Sequence, residues 1–194
     1  MARGRPREFD EKEALEAALG VFWKFGYEGT SCEDLLDAMG LNPGSMYAAF
    51  GDKRALYDKA FELFCDNLVG QGMTILNGPG TPLENVRALI QCWADHMADP
   101  DGKGCFVDNT LIEFGTEKRG VAELARRVHH RIQRVLEEKL TAARDDGELT
   151  SELEPAALAA FLINTKQGLS VMARSGAGPA AVRGVVETAL SMLR

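Results

Sequence analysis

Apolar residues recur every three to four positions through most of the chain, which is the period of a helix that buries one face. The first such segment places Ala18 and Phe22 on one side, with Asp10 as a candidate N-cap and Gly26 as its stop. No segment alternates apolar and polar residues with the two-residue period of a strand. The pattern therefore predicts an all-α chain.

Two short helices are predicted next, in the stretch TSCEDLLDAMGLNPGSMYAAFGDK. Thr30 is a candidate cap for the first of them, and Gly40 can take the left-handed conformation that ends a helix. Asn42 is placed to cap the second helix, with Pro43 at its first position and Gly51 at its end. Two helices joined by a short turn that contains glycine form a helix-turn-helix, whose second helix can enter a major groove.

Further helical segments follow this pair. One begins at Asp52, and the Gly/Pro-rich stretch 70–82 predicts a loop and an internal boundary. Five more helices are expected, beginning near residues 82, 105, 121, 155 and 179, which gives about nine in all. The predicted organisation is a flexible basic arm over residues 1–7, a three-helix unit over 8–54 and a helical bundle over 55–194.

The composition is that of an ordinary globular protein, with 45% hydrophobic and 26% charged residues among 194. Four cysteines are widely spaced and form no CxxC pair, which argues against a zinc ribbon or a disulfide framework and favours a reducing compartment. The first residues contain no apolar leader, and no apolar run is long enough to span a bilayer. We therefore expect a cytoplasmic protein with no membrane partner.

A formal net charge of −7 argues against a general nucleic-acid binder. Residues 1–70 contain eight Lys or Arg against thirteen Asp or Glu. Whether this part of the chain can bind DNA therefore depends on how the charges are distributed within it. Residues 38–51 contain no acidic residue, and residues 1–7 contain Arg3, Arg5 and Arg7 without an acid. The surface of the second short helix is thus free of repulsion, and the basic arm is either a solvated terminus or a minor-groove contact.

Specific residues of the N-terminal part resemble the TetR/AcrR family of transcriptional regulators. The resemblance covers roughly residues 8–60 and is carried by GYEGTS at 26–31, GLNPGSMY at 40–47 and DKRAL at 52–56. The remainder is similar in length and helical pattern, and GKGCFVDNT at 102–110 is similar to a stretch found in one group of these regulators.

The resemblance implies a homodimer that binds a palindromic operator with its first three helices, a small effector in the bundle, and dimerisation through the last two helices. It implies a repressor released by an effector or by a thiol-modifying signal, with no catalytic residue and no cofactor. Thr30, Tyr47 and Lys53 would hold phosphates. The groove-facing surface would consist of Asn42, Pro43, Gly44, Ser45 and Ala48, beside the arm residues Arg3, Arg5 and Arg7.

Two positions bear on this surface. Met46 and Phe50, four residues apart, supply the buried stripe of the second helix, so Tyr47 should point outward. Many relatives carry a polar or aromatic residue where this chain has Ala48 and Ala49. Base recognition is therefore expected to depend on methyl contact from Ala48 to thymine, on Ser45 and on the arm.

Two hypotheses concern cysteines in the bundle. Cys92 and His96 lie one helical turn apart, and together with Cys105 they could hold zinc or copper. Two buried thiols and a hydrogen-bonded histidine explain these residues better, so we predict no metal. Cys105 also follows Lys103 and lies near a predicted helix N-terminus. Both features lower the pKa of a thiol, so Cys105 is a candidate sensor of oxidants or electrophiles.

A third possibility is an apolar effector pocket, or simply the core of the bundle. The candidate residues are Trp93, Met97, Phe106, Thr110 and Phe114, with some of Leu124, Val128, Phe161 and Thr165.

Two other classes of function remain open. A small helical enzyme is disfavoured, because the chain has no GxSxG, HExxH, Walker A or GxGxxG pattern. The other class is a helical dimer that does not bind DNA and has a thiol-based enzymatic or ligand-carrier role. The negative net charge of the chain favours this class.

Overall fold

The computed structural model describes residues 9–99 and 101–194, and within them the chain forms nine helices and no strand. The helices are α1 Glu11–Phe25, α2 Cys32–Met39, α3 Pro43–Phe50, α4 Lys53–Leu76, α5 Pro82–Met97, α6 Phe106–Phe114, α7 Val121–Asp145, α8 Pro155–Arg174 and α9 Pro179–Ser191. The predicted all-α fold is confirmed. The arm residues Arg3, Arg5 and Arg7 lie outside the described residues.

Local signals explain most of the helix ends. Asp10 caps α1 by accepting hydrogen bonds from the backbone N–H groups of Lys12 and Glu13. Gly40 takes the left-handed conformation, with φ of 63°, at the end of α2. Asn42 caps α3 with Pro43 at its first turn. Each of these predictions is confirmed.

The cap of α2 was predicted one residue too early. Ser31 is the N-cap and forms a reciprocal capping box with Asp34, whereas Thr30 is buried and its hydroxyl donates to the Gly26 carbonyl at 2.6 Å. Ser31 is exposed, so its hydroxyl is available to the helix end, while the Thr30 hydroxyl is already used inside the turn.

The loop predicted over residues 70–82 is wrong for its first part, since α4 continues to Leu76. Gly70 and Gly72 each cost about 1 kcal/mol of helix propensity, but the fully buried Leu76 favours continuation. The turn that remains is held by Asn85, whose amide donates to the carbonyls of Leu76, Gly78 and Gly80.

The described residues divide into two compact units between Phe64 and Cys65, which is further along α4 than the predicted boundary at residues 54–55. The first unit is built around aromatic side chains. The Phe22 and Tyr57 rings meet edge to face at 4.9 Å, and Met46 and Leu35 are fully buried. These contacts fix the α1–α3 arrangement within the unit.

The second unit is a helical bundle in which α7 packs against α5, α6 and α8, while α9 packs against α5 and α8. Its core contains leucines and alanines of these helices, including Leu136, Leu140 and Leu162. It also encloses the polar side chains of Asp108 and Lys166. No helix within residues 9–99 and 101–194 is long and apolar enough to cross a membrane.

Candidate nucleic-acid interface and effector-domain site

Helix α3 presents one face to the core and the other to solvent. Met46 and Phe50 are buried, at 0% and 4% exposure, whereas the Tyr47 side chain is half exposed at 51%. The prediction that Tyr47 points outward is confirmed. The other exposed residues of this face are Pro43, Gly44 and Ala48. No acidic residue lies in the first turn of α3, so a phosphate can approach this helix N-terminus without repulsion.

The first turn of α3 is fixed by its own cap. The Asn42 side-chain oxygen accepts from the Ser45 backbone N–H at 2.9 Å. A Cβ placed on Gly44 would meet only that same oxygen, at 3.4 Å, so internal packing does not require glycine there. The small surface at Gly44 instead leaves room for another molecule's backbone to approach α3 closely.

The Tyr47 hydroxyl contacts the start of α2. A hydrogen bond with the Cys32 side chain raises the pKa of Tyr47 above its usual value, with a smaller effect from the charge of the thiol. Cys32 is half-buried at the first position of α2. The phenol is neutral at physiological pH, and its hydroxyl can donate to a phosphate by exchanging its Cys32 partner for the phosphate oxygen. Cys32 was not among the predicted site residues, because nothing local in the sequence connects it to Tyr47.

Positive charge gathers at the start of α4. The Lys53 ammonium lies 4.3 Å from the centre of the Tyr27 ring, and the Arg54 guanidinium lies 6.0 Å from it. Arg54 also pairs with Asp58 at 2.9 Å, and the Lys59 ammonium donates to the Ala49 carbonyl at the end of α3. An aromatic ring restrains Lys53 without neutralising it, which suits a residue that holds a phosphate.

Thr30 does not fit its predicted role. Its side chain is 2% exposed and its hydroxyl donates to Gly26, so this structure offers no Thr30 hydroxyl to a phosphate. The neighbouring Ser31 is exposed, but its hydroxyl donates to Asp34 Oδ2 within the capping box.

A buried polar cluster links α6, α7 and α8 in the second unit. The Lys166 ammonium donates to the Cys105 sulfur at 2.9 Å and to Asp108 Oδ2 at 3.0 Å. His129 Nε2 lies 2.9 Å from Asp108 Oδ1, but the two atoms do not form a well-directed hydrogen bond. Gln167 Nε2 lies 3.1 Å from His129 Nδ1. We call Cys105, Asp108, His129, Lys166 and Gln167 the buried polar cluster.

The ionisation of this cluster follows from its charges. Burial alone would lower the pKa of Lys166, but Cys105 and Asp108 outweigh it, so the pKa of Lys166 is raised. Burial alone would raise the pKa of Asp108, but the Lys166 ammonium and His129 outweigh it, so that pKa is lowered. Lys166 and Asp108 thus form a buried ion pair at neutral pH.

Cys105 behaves differently from its prediction. Burial raises the pKa of its thiol in spite of the Lys166 ammonium beside it. The predicted influence of Lys103 is wrong, because the Lys103 ammonium pairs with Asp101 at 2.9 Å. The Cys105 sulfur accepts a hydrogen bond from Lys166 of α8, which no short-range pattern in the sequence places there.

The other predicted bundle residues are dispersed. His96 is exposed on α5, and its Nδ1 lies 2.7 Å from the Cys92 carbonyl oxygen and 3.6 Å from the Cys92 sulfur. Within residues 9–99 and 101–194, no three His, Cys, Asp or Glu side chains are grouped to hold a metal ion, so Cys105 does not join that pair as a ligand.

The candidates for an effector pocket on α5, α6 and α8 separate into two groups. Five are core residues with 8% exposure or less: Trp93, Met97, Phe106, Thr110 and Phe114. Phe161, in contrast, is 38% exposed on α8, and the Thr165 hydroxyl donates to its carbonyl at 2.9 Å. An effector pocket formed by this set stays a prediction.

The family models match both units. Residues 14–60 match the model for bacterial regulatory proteins of the tetR family, and residues 82–189 match that for tetracyclin repressor-like C-terminal domains. The chain belongs to the TetR family. It is a DNA-binding transcriptional regulator, and regulators of this family bind operator DNA as dimers.

Similar TetR-family proteins cover almost the whole chain. An uncharacterised HTH-type regulator of Bacillus subtilis, YezE, is 31% identical over 98% of this chain and 99% of its own length. The transcriptional repressor ComR of Escherichia coli is 29% identical over 91% of this chain and 85% of its own. A cysteine mutant of the TetR regulator CifR, solved with a 26-bp operator DNA, superposes with a TM-score of 0.83 at 30% identity over 98% of this chain and 100% of that one.

Proposed function

We propose that this TetR-family protein is a cytoplasmic repressor that binds a palindromic operator as a homodimer and is released by a small effector or by modification of its Cys105 thiol. The observation that carries the DNA-binding part is the exposed, acid-free face of α3. In this proposal Tyr47 and Lys53 hold phosphates, and Thr30 does not contribute. Asn42, Pro43, Gly44, Ser45 and Ala48 face the groove, with the Ala48 methyl against thymine.

The basic arm adds minor-groove contacts by Arg3, Arg5 and Arg7. Its contribution can be measured separately, because each phosphate charge neutralised adds about one unit to the slope of log affinity against log salt. Arg5→Ala should weaken operator binding and make that slope shallower. Unchanged affinity and slope would remove the arm from the interface.

A second copy of the chain would cover the outer faces of α8 and α9. Phe161, Val171 and Val185 are large apolar residues exposed there by 37% to 54%. A Cβ on Gly168 or Gly184 would meet no atom within 4 Å, so these positions leave room for another helix. An exposed apolar face of this kind marks a protein interface. The dimer would then present two α3 helices about 34–36 Å apart, one turn of DNA.

Cys105 supports the release step through its position in the buried polar cluster. Its sulfur accepts a hydrogen bond from Lys166 of α8, and its backbone N–H donates to Ser170 of the same helix. Any group added to this sulfur enters a site with 3% exposure and displaces the Lys166 ammonium. The resulting loss of an α6–α8 link would shift the bundle away from the conformation that binds DNA. Release by a small effector is the second candidate, since the bundle has an open cleft described below.

The thiol step can be tested by fluorescence anisotropy with DNA from upstream of the chain's own gene. Because Cys32 contacts Tyr47, the assay uses a Cys32→Ser background, so that a thiol at the DNA-binding surface does not respond. N-ethylmaleimide should react slowly, because the Cys105 thiol is buried and its pKa is raised. Once mass spectrometry finds the adduct on Cys105, operator binding should be at least about tenfold weaker.

The matched controls are Cys105→Ala and Cys65→Ala, since both cysteines are buried. The first should abolish the response and the second should preserve it. Equal DNA affinity with and without the Cys105 adduct would overturn the release step while leaving the DNA-binding proposal intact.

A further inference from the structure

An open cleft of about 700 Å³ lies within the second unit, between the end part of α4 and the outer side of α7. Its volume is in the range of small-molecule sites. The floor is apolar and consists of Cys65, Val69, Leu124 and Val128. Leu124 and Val128 were candidate pocket residues in the sequence, but the core aromatics predicted beside them do not line this cleft.

One wall of the cleft carries a row of cations. Arg127, Arg131 and Arg134 stand at i, i+4 and i+7 on α7, so their side chains project from the same side of the helix over about two turns. His130 lines the cleft beside them, whereas the acidic residues of the lining are only Asp66 and Glu137. Among the lining residues alone, three arginines stand against these two carboxylates.

The three arginines are only weakly engaged. Arg127 pairs with Glu123 at 2.8 Å and Arg134 with Glu138 at 3.8 Å, and all four of these side chains are between 47% and 75% exposed. Exposed pairs of this kind stabilise a protein little and exchange readily for a stronger partner. Arg131 has no ion pair with any residue of the described ranges. Arg126 differs, because it donates to the carbonyls of Gly115 and Glu117 and so holds the α6–α7 connection.

We propose that this cleft binds a small organic carboxylate with an apolar tail. The tail would lie on Val69, Leu124 and Val128. The carboxylate would accept paired hydrogen bonds from Arg131, whose planar guanidinium matches a carboxylate in two-point contact, with Arg127 and Arg134 adding charge on either side. The site lies apart from the buried polar cluster, because Cys105 and Lys166 are not among its lining residues. Binding here needs no DNA; only its effect on the operator complex rests on the proposed function.

Isothermal titration calorimetry of the purified dimer, without DNA, tests the site. The probe is octanoate, compared with octanamide, which has the same tail and no charge. Octanoate should bind and octanamide should bind at least about tenfold more weakly, because a charged partner strengthens hydrogen bonds with arginine. Hexanoate and butyrate should bind progressively more weakly, roughly fourfold for each methylene removed from the floor.

Two variants separate the cleft from general surface charge. Arg131→Gln should weaken octanoate binding about tenfold, while Arg119→Gln, at an exposed position in the loop before α7, should leave it unchanged. Equal affinities of octanoate and octanamide would overturn the proposal, as would an Arg131→Gln variant that binds like the native chain. Absence of octanoate binding at two temperatures would also overturn it; the second temperature is needed because burial of an apolar tail can release no heat at one of them.

A separate assay connects the cleft to the operator. Octanoate added to the DNA complex should lower the anisotropy of labelled operator only if the cleft controls release. Retention of DNA despite measured octanoate binding would contradict a role in release and leave the carboxylate site standing.

Discussion

The α2–α3 surface of the first unit and the buried polar cluster of the second show two ways in which a chain places functional groups. On α3, Tyr47, Gly44 and Ala48 lie within five residues of one another and are exposed by a single local helix. In the cluster, Cys105 and Lys166 are separated by 60 intervening residues and meet only because α6 and α8 pack together. We therefore expect single substitutions on the first surface to cost little stability and single substitutions in the buried polar cluster to cost much more.

This difference has a physical origin. Exposed groups on α3 remain hydrated in the free protein, so their removal costs little stability and acts on binding alone. Lys166 and Asp108 have lost their water, and each is stabilised by the other. Substitutions on α3 should therefore change DNA affinity and leave stability unchanged. Single substitutions in the buried polar cluster should lower the free energy of unfolding.

The largest effect is expected from Lys166→Met. It leaves the Asp108 carboxylate buried without its ammonium partner, which should lower the free energy of unfolding by about 3–5 kcal/mol in urea denaturation. Lys118→Met, at an exposed loop position, should change it by less than about 0.5 kcal/mol. Combining Lys166→Met with Asp108→Leu should recover much of the loss, because no unpaired charge then remains. A Lys166→Met variant of native stability would show that the cluster is not a constraint on the fold.

Ala48→Glu should produce the converse outcome. A carboxylate on the exposed face of α3 would meet the phosphate backbone, so operator affinity should fall roughly a hundredfold or more at low salt. Urea denaturation should show native stability. Ala88→Glu, on the exposed side of α5, serves as the control with the same charge change and should keep full affinity. Tight operator binding by Ala48→Glu would place the groove contact elsewhere.

Gly44→Ala should sharpen the comparison within α3 itself. The added methyl fits internally and improves helix propensity by up to about 1 kcal/mol, so stability should hold or rise. Operator affinity should fall on the order of tenfold, because the methyl occupies the space left for the DNA backbone. Gly40→Ala is the counterpart: its positive φ of 63° makes alanine costly, so stability should fall by about 1 kcal/mol. If Gly44→Ala binds the operator as tightly as the native chain, the DNA backbone does not approach α3 closely at this position.

The smallest effect is a dependence of stability on pH. The pKa of Asp108 is lowered in the folded chain, so its contribution is present above its unfolded value and is lost as the pH falls through the folded value. The pKa of Lys166 is raised, so its contribution is lost as the pH rises through the folded value. Between pH 5 and pH 3 the native chain should lose stability more steeply than the Asp108→Leu, Lys166→Met double variant. The free energy of unfolding is measured by urea denaturation at each pH. If it falls equally for the native chain and the double variant, Asp108 and Lys166 are not a charged pair.

Much of the fold was accessible from short-range patterns. Asp10, Gly40 and Asn42 mark helix ends through bonds to residues within four positions, so spacing alone predicts them. The exposed side of α3 followed from the same reasoning, because Met46 and Phe50 occupy the buried stripe. The continuation of α4 through Gly70 and Gly72 could not be predicted in this way, because burial of Leu76 outweighs the local preference of glycine for a turn.

The sequence by itself thus determined the helical class, most helix ends and the face of α3 that is open to DNA, because these depend on neighbours one helical turn away. Only the tertiary structure decided the environment of Cys105. Its near neighbour Lys103 turns toward Asp101, and the distant Lys166 reaches its sulfur instead. Burial then raises the pKa that local charge was expected to lower. Desolvation and long-range packing act on the folded chain alone, and they outweigh what adjacent residues in the sequence suggest.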